Sequence, residues 1–206
     1  MQKKKDMRYW CLYLCCLLCF TAKAQLLDSA ALSSQVLYLS MEEAKKADPS
    51  QVYRLRLKRK LPADFESEIR KFSHLQELQL VGMHLKEVPP VVCELTSLTR
   101  LDLSNNKLEH LPADIKNLTN LEYLILNRNY LFGLPSEIQY LEHLVYLDLW
   151  SNLIVELPQE ITALESTLKE VDLRVINMND ERKIAMQALL PRTRFYFSPS
   201  CNCSMR

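Results

Sequence analysis

Leu98-Thr-Arg-Leu101-Asp-Leu103-Ser-Asn-Asn106-Lys-Leu108-Glu-His-Leu111-Pro112 is the stretch on which the reading of this chain turns. Its spacing returns 23 residues later as Leu121, Leu124, Leu126, Asn129, Leu131, Leu134 and Pro135, and 23 after that as Leu144, Leu147, Leu149, Asn152, Ile154, Leu157 and Pro158. An earlier copy starts at Leu75 (Leu78, Leu80, Leu85, Val88, Pro89) and a degenerate one at Val52 (Leu55, Leu57), each again 23 residues upstream. A last copy starts at Leu168 (Val171, Leu173, Met178) after a step of 24. A fixed period of this length marks a stacked-repeat architecture.

Two periodicities alternate inside each unit. Leu-x-Leu spacing of two reads as a short strand. The second half carries pairs three apart (Ile69 and Phe72, Val92 and Leu95, Ile115 and Leu118, Ile138 and Leu141, Ile161 and Leu164) and reads as a helix or helical turn. One unit cannot bury its leucines alone, whereas stacked units share a continuous core. The strands then align as a parallel sheet, with the helical halves as crossovers. Counting the first apolar residue of each copy as position 1, positions 4 and 6 point into the core. Positions 3, 5 and 7 point out, because side chains alternate along a strand.

This pattern resembles the leucine-rich repeat family, in its 23-residue class L-x-x-L-x-L-x-x-N-x-L-x-x-L-P-x-x-I-x-x-L, which includes plant Ras-group-related and bacterial secreted repeat proteins. The resemblance covers roughly residues 52–190. It implies an α/β solenoid: a curved parallel sheet, a helical or irregular convex side, and caps at both ends. It also implies that the position-9 asparagines Asn106, Asn129 and Asn152 hydrogen-bond backbone in the stacked turns. Lys60, Met83 and Ile176 occupy that position in the outer copies, and no ladder is expected there.

The chain divides accordingly into 1–24, an export signal; 25–51, an N-terminal cap region; 52–178, the repeats; and 179–206, a C-terminal cap and tail. Residues 1–24 have the three-part layout of a secretory signal: Lys3–Lys5 and Arg8, then the apolar run 9–20, then Ala22-Lys23-Ala24. The expected location is therefore outside the cytoplasm, with no stable membrane insertion after cleavage. Ser40-Met-Glu-Glu43 is a capping-box string that predicts a helix over Glu42–Ala47. Gln35–Leu39 reads as strand or linker. Asn179–Leu190 reads as a helix with Ile184, Ala185, Ala188 and Leu189 on its apolar face, followed by a short strand at Thr193–Phe197. The ending, with its Cys201-Asn-Cys203, resembles C-terminal caps of bacterial secreted repeat proteins.

The candidate binding surface is the concave side. Tyr123, Tyr146 and Trp150 fall there on neighbouring strands, with Arg100, Asp102, Asn127, Arg128 and Asp148 around them. Aromatic residues and arginine dominate binding hot spots because they bury much area while still hydrogen-bonding. The plainer reading is cross-strand packing that stabilises the sheet. Arg54, Arg56 and Lys58 make a basic stripe on the first repeat strand. It reads first as a charged edge that discourages pairing with other molecules, and second as a site for an acidic partner or polyanion.

Other chemistry is thinly represented. Only two glycines occur, Gly82 and Gly133, and no Walker or G-x-G-x-x-G string, which argues against nucleotide-binding enzymes of those types. The net charge is +1. Residues 1–24 hold five basic groups and one acid (+4), so the remainder carries −3. That balance does not point to nucleic acid. The histidines His74, His84, His110 and His143 read as surface residues, and no metal or cofactor is expected. Cys93, beside Val92, reads as structural. Cys201 and Cys203 leave open a thiol redox or metal-binding alternative. Asn117-Leu-Thr119 and Asn202-Cys-Ser204 fit the N-glycosylation pattern. The sequence thus predicts a non-enzymatic, exported module that binds a protein or peptide. The alternative is an intracellular Ras-related scaffold, should the N-terminus not be a signal.

Overall fold

The computed structural model describes residues 26–198. The segment read as a signal and the Cys201-Asn-Cys203 tail lie outside them. Eight parallel strands form one sheet in chain order. They are β1 (Leu37–Tyr38), β2 (Arg54–Lys58), β3 (Glu77–Val81), β4 (Arg100–Asp102), β5 (Tyr123–Ile125), β6 (Tyr146–Asp148), β7 (Glu170–Leu173) and β8 (Arg194–Phe197). Six belong to the repeats, and β1 and β8 flank them. The register follows the repeat: Arg54, Glu77, Arg100, Tyr123, Tyr146, Glu170 and Arg194 lie opposite one another in succession.

Positions 4 and 6 form the core beneath the sheet. Leu78, Leu101, Leu124 and Leu147, and Leu80, Leu103, Leu126 and Leu149, are fully buried. Behind them the chain crosses back through short 3-10 turns, Pro90–Glu94, Ala113–Asn117, Ser136–Tyr140 and Gln159–Leu164, rather than full helices. A proline immediately precedes each: Pro89, Pro112, Pro135 and Pro158. Proline fixes φ where the turn begins and lacks the N–H that would otherwise go unpaired. The first repeat lacks the asparagine turn, and its crossover is an α-helix instead, Phe65–Ile69.

Asparagine side chains staple the repeats together. Asn129 Nδ2 donates to the carbonyls of Leu103 (3.0 Å) and Leu126 (2.8 Å), and its Oδ1 accepts from Leu108 N–H (3.1 Å). Asn106 makes the same contacts to Leu80, Leu103, Met83 and Leu85, and Asn152 to Leu126, Leu149 and Leu131. Each spans its own repeat and the one before. Buried carbonyls at the strand ends, which would be expensive to leave unpaired, are thereby satisfied.

Position 8 has a feature that the repeat pattern did not reveal. Arg59, Gly82, Asn105, Arg128, Ser151 and Val175 all have left-handed backbones, φ +56° to +77°. That conformation aims the N–H of Gly82, Asn105, Arg128 and Ser151 at the position-7 carbonyl of the next repeat, at 2.8–3.0 Å. Gly82 suits it, having no Cβ; an added one would lie 3.1 Å from Asn105 Nδ2.

Helix α1 (Ser29–Ser34) precedes β1 and is capped by the Asp28 side chain, which accepts from Ala31 N–H (2.8 Å). Gln35–Leu39 contains strand β1. Ser40 caps a helix at Met41–Ala44, shorter than Glu42–Ala47, and its Oγ accepts from Glu43 N–H (3.2 Å). Met41 and Ala44 extend the core at that end. At the other end Asn179 caps the helix Asp180–Leu189, designated α4 after α2 (Met41–Ala44) and α3 (Phe65–Ile69). The sequence places Ile184, Ala185, Ala188 and Leu189 on its inner face; Leu189 does pack against the core, but Ile184 is 66% exposed. Met186 and Leu190 are buried instead, where α4 meets the turn Gln159–Leu164. Among the described residues, no helix is long and apolar enough to cross a membrane.

Candidate binding face

The sheet face opposite the core carries positions 3, 5 and 7. Position 3 gathers Arg100, Tyr123 and Tyr146 on three adjacent strands. Arg100 Cζ stands 4.4 Å from the centre of the Tyr123 ring, and the two tyrosine rings are 6.4 Å apart, tilted by 42°. Further along the strands, Arg128 Cζ lies 4.6 Å from the centre of the Trp150 ring. A third such pair, Arg174 over Tyr196 (5.9 Å), continues the motif beyond the residues that the sequence singled out. Tyr196 is one register step of 24 past Asp172, so the repeat spacing carried into β8 would have found it.

Position 5 carries the acids. Asp102, Asp148 and Asp172 each accept a hydrogen bond from the N–H two residues on, that of Ser104 (2.9 Å), Trp150 (3.0 Å) and Arg174 (3.0 Å). These bonds hold the position-7 residues, Trp150 included, at the ends of their strands. Asp148 Oδ2 also accepts from Asn127 Nδ2 (2.6 Å), and Arg174 Nη2 donates to Asp172 Oδ2 (2.6 Å). Asp148 faces outward yet is only 9% exposed, because its neighbours close over it. Burial pushes its carboxyl above the usual range; the bonds from Asn127 and Trp150 oppose this, and the negative Asp172 and Asp102 add to it.

The eight residues singled out by sequence, Arg100, Asp102, Tyr123, Asn127, Arg128, Tyr146, Asp148 and Trp150, therefore share one contiguous area on β4–β6 and the turns after them. At its margin, a small polar cleft of about 160 Å³ separates Leu32 and Ser33 of α1 from Arg54, Glu77, Arg100, Glu122 and Tyr123. Two apolar depressions lie off this face, one of about 380 Å³ beside Phe132 and Val155 and one of about 520 Å³ between Leu157 and Met186 of α4.

Such a surface offers aromatic faces, cations and acceptors for contact. Among the described residues, no group of three or more histidine, cysteine or acidic side chains could hold a metal ion. Cys93 is buried, and its thiol is pushed up to about 11, chiefly by burial and then by the negative charges of Asp114 and Glu94. His74 is half-buried rather than on the surface, its Nδ1 2.8 Å from the Ser50 carbonyl.

Comparison with known proteins agrees with this architecture. The family profile for leucine rich repeats matches residues 73–131. No curated protein matches the chain. Among solved structures, a leucine-rich repeat protein of Leptospira interrogans is similar at 27% identity and a TM-score of 0.62, over 79% of this chain and 48% of that one. InlP of Listeria monocytogenes shows 26% identity and a TM-score of 0.53 over 69% of this chain and 36% of its own. The ectodomain of the Arabidopsis thaliana receptor kinase GASSHO1/SCHENGEN3, solved in complex with CASPARIAN STRIP INTEGRITY FACTOR 2, shows 29% identity and 0.53 over 73% and 18%. The chain thus spans about half the length of the first of these and less of the others. With its 23-residue repeat, its one-strand-per-repeat parallel sheet and these likenesses, the chain has the fold of a leucine-rich repeat solenoid, and residues 73–131 carry the family's repeat.

Proposed function

We propose that this protein is an exported binding module that engages a protein or peptide across the open, concave side of its sheet. The observation that carries the reading is the linked set Arg100–Tyr123–Tyr146 with Arg128–Trp150, displayed on the outward face of a sheet whose other face is fully packed. Pre-positioned aromatics lose little side-chain freedom on binding, so their buried area converts more fully into affinity. The similarity to a plant receptor ectodomain solved with a bound factor supports the same reading. In it, α1, α2 and β1 at one end and α4 and β8 at the other act as caps that keep water from the open ends of the core. The signal-like residues 1–24 supply the export.

The experiment is a pull-down from the native host with protein beginning at Gln25, followed by affinity measurement for Tyr123→Ala, Tyr146→Ala and Trp150→Ala. Each is expected to weaken binding by about 1–2 kcal/mol, and the set together by more. Unchanged affinity for all three would remove this face from consideration. A native N-terminus other than one near Gln25 would remove export by this route.

A further inference from the structure

Residues 54–60, Arg-Leu-Arg-Leu-Lys-Arg-Lys, place five cations in seven positions. Arg54 is neutralised by Glu77 at 2.6 Å and donates to the Ser33 and Gln35 carbonyls. Arg56, Lys58, Arg59 and Lys60 have no carboxylate within 4.0 Å among the described residues and lie within five positions of one another, whereas several cations elsewhere are paired: Lys45 with Asp64, Arg70 with Glu94, Arg174 with Asp172. The Arg56 Nε–H is buried and has no hydrogen-bond partner. Part of that guanidinium is therefore already desolvated, with its donor unmatched. Arg59 sits at a left-handed position (φ +77°) that Gly82 fills in the next repeat. A bulky cation is kept where a smaller residue would be less strained.

The sheet edge also differs from the simple case. β2 is not the outermost strand: β1 pairs with Arg54 and Leu55, and it ends there. Lys58, Arg59 and Lys60 are exposed beyond it. At the far end of the same face lie Asp148, Glu170 and Asp172. Asp172 and Glu170 are paired with Arg174 (2.6 Å) and Arg194 (3.5 Å), so the concentrated unmatched charge of the open face is the positive group on the first repeat. A protein segment with acidic residues at one end is complementary to a face whose unmatched cations lie at one end.

We propose that Arg56, Lys58, Arg59 and Lys60 form a docking site for an acidic segment of the protein partner, which fixes the direction in which that partner crosses the face. The inference deepens the binding reading above but is measured separately from it. Convergent charges of this kind act first on the rate and orientation of encounter.

The test uses the chain from Gln25 to Arg206 and a fluorescently labelled oligoglutamate peptide, followed by anisotropy at low and high salt. Binding is expected at low salt and should fade as ionic strength shortens the screening length to about 10 Å or less. The variant Arg56→Gln/Lys58→Gln/Arg59→Asn/Lys60→Gln is expected to lose at least about tenfold in affinity. A control with the same net charge, Lys107→Gln/Lys116→Gln/Lys169→Gln/Arg182→Gln, should keep it. No binding by the wild type, or equal loss in the control, overturns the proposal. Retained peptide affinity with new self-association of the variant also overturns it, showing that the cations guard the edge of β2 instead. The pair Lys58→Glu/Lys60→Glu leaves half-buried Arg56 intact and repeats the test should the fourfold variant fold poorly. Tyr146→Ala and Trp150→Ala are expected to leave oligoglutamate binding unchanged, so failure of this site and failure of the aromatic site are distinguishable.

Discussion

Arg128 holds its guanidinium over Trp150, Cζ 4.6 Å from the ring centre, while its own backbone is left-handed at φ +56°. Its N–H meanwhile donates to the Trp150 carbonyl at 2.8 Å. One residue thus joins two repeats twice, through its backbone and through its side chain. Only the backbone link is independent of residue type. We expect Arg128→Gly to relieve strain of about 1 kcal/mol and to lose a cation–π contact of about 0.5–1 kcal/mol. Stability should therefore change little, while Trp150 emission shifts and partner affinity falls. Trp150 is the sole tryptophan after residue 24, so its fluorescence reports this contact directly. An unaltered spectrum would mean that the pair does not persist in solution.

Asn129 is expected to be a costly polar residue to remove. Asn129→Ala would strand the buried N–H of Leu108 and would leave the carbonyls of Leu103 and Leu126 with one side-chain partner each, Asn106 and Asn152. At about 1–3 kcal/mol for the stranded N–H and about 0.5–1 kcal/mol for each further bond lost, we expect a loss of about 3 kcal/mol. Urea unfolding measures it. Asn120→Ala, which removes one exposed bond to the Thr96 carbonyl (2.8 Å), should cost under about 1 kcal/mol.

Val175 should yield to a stabilising change. A β-branched residue at φ +56° is strained, and this one is 59% exposed, with little packing to compensate. Val175→Asn keeps the N–H that donates to Ser198 Oγ (2.7 Å) and should raise stability by about 1 kcal/mol. A lowered Tm would show that the valine side chain has a packing role.

Asp148 should make stability fall as pH rises. Its folded pKa lies above 3.8, so the fold holds this proton more tightly than the unfolded chain does. The contribution is most favourable below about pH 3.8, declines as pH climbs towards the raised folded pKa, and stays at its lower level beyond it. Asp148→Asn, which keeps an acceptor for Trp150 N–H, should flatten the stability profile across that interval. Carboxyl chemical shifts read against pH would place the midpoint directly; one at or below 3.8 contradicts the assignment.

Much of the fold was legible because the sequence repeats one physical requirement. Every copy must send two leucines into a shared core, so Leu101, Leu124 and Leu147 announce both the strand and its register, and the steps of 23 and 24 recur as cross-strand partners. Pro112, Pro135 and Pro158 likewise mark where each crossover begins. The outer strands lie outside the repeat: β8 was legible at Thr193–Phe197 from its own alternation, with Phe195 and Phe197 opposite Val171 and Leu173, whereas β1 read only as strand or linker.

What the tertiary structure alone decided lies where one residue's state depends on a neighbour distant in sequence. Gly82 and Asn105 are types that tolerate a left-handed backbone, but Arg128, Ser151 and Val175 are not marked for it; an acceptor just past the next strand imposes it, a carbonyl for Arg128 and Ser151 and the Ser198 hydroxyl for Val175. In α4 two faces compete, Ile184 with Ala188 and Met186 with Leu190, and the turn Gln159–Leu164 selects the second. Alternation correctly placed Asp148 on the outward face. Its burial, and hence its raised pKa, came from Asn127 and Trp150 closing around it. The sequence by itself determined which side of the sheet each residue occupies, because strand alternation is local. Solvent access, charge state and pairing on that side belong to the assembled face, because they depend on contacts between repeats.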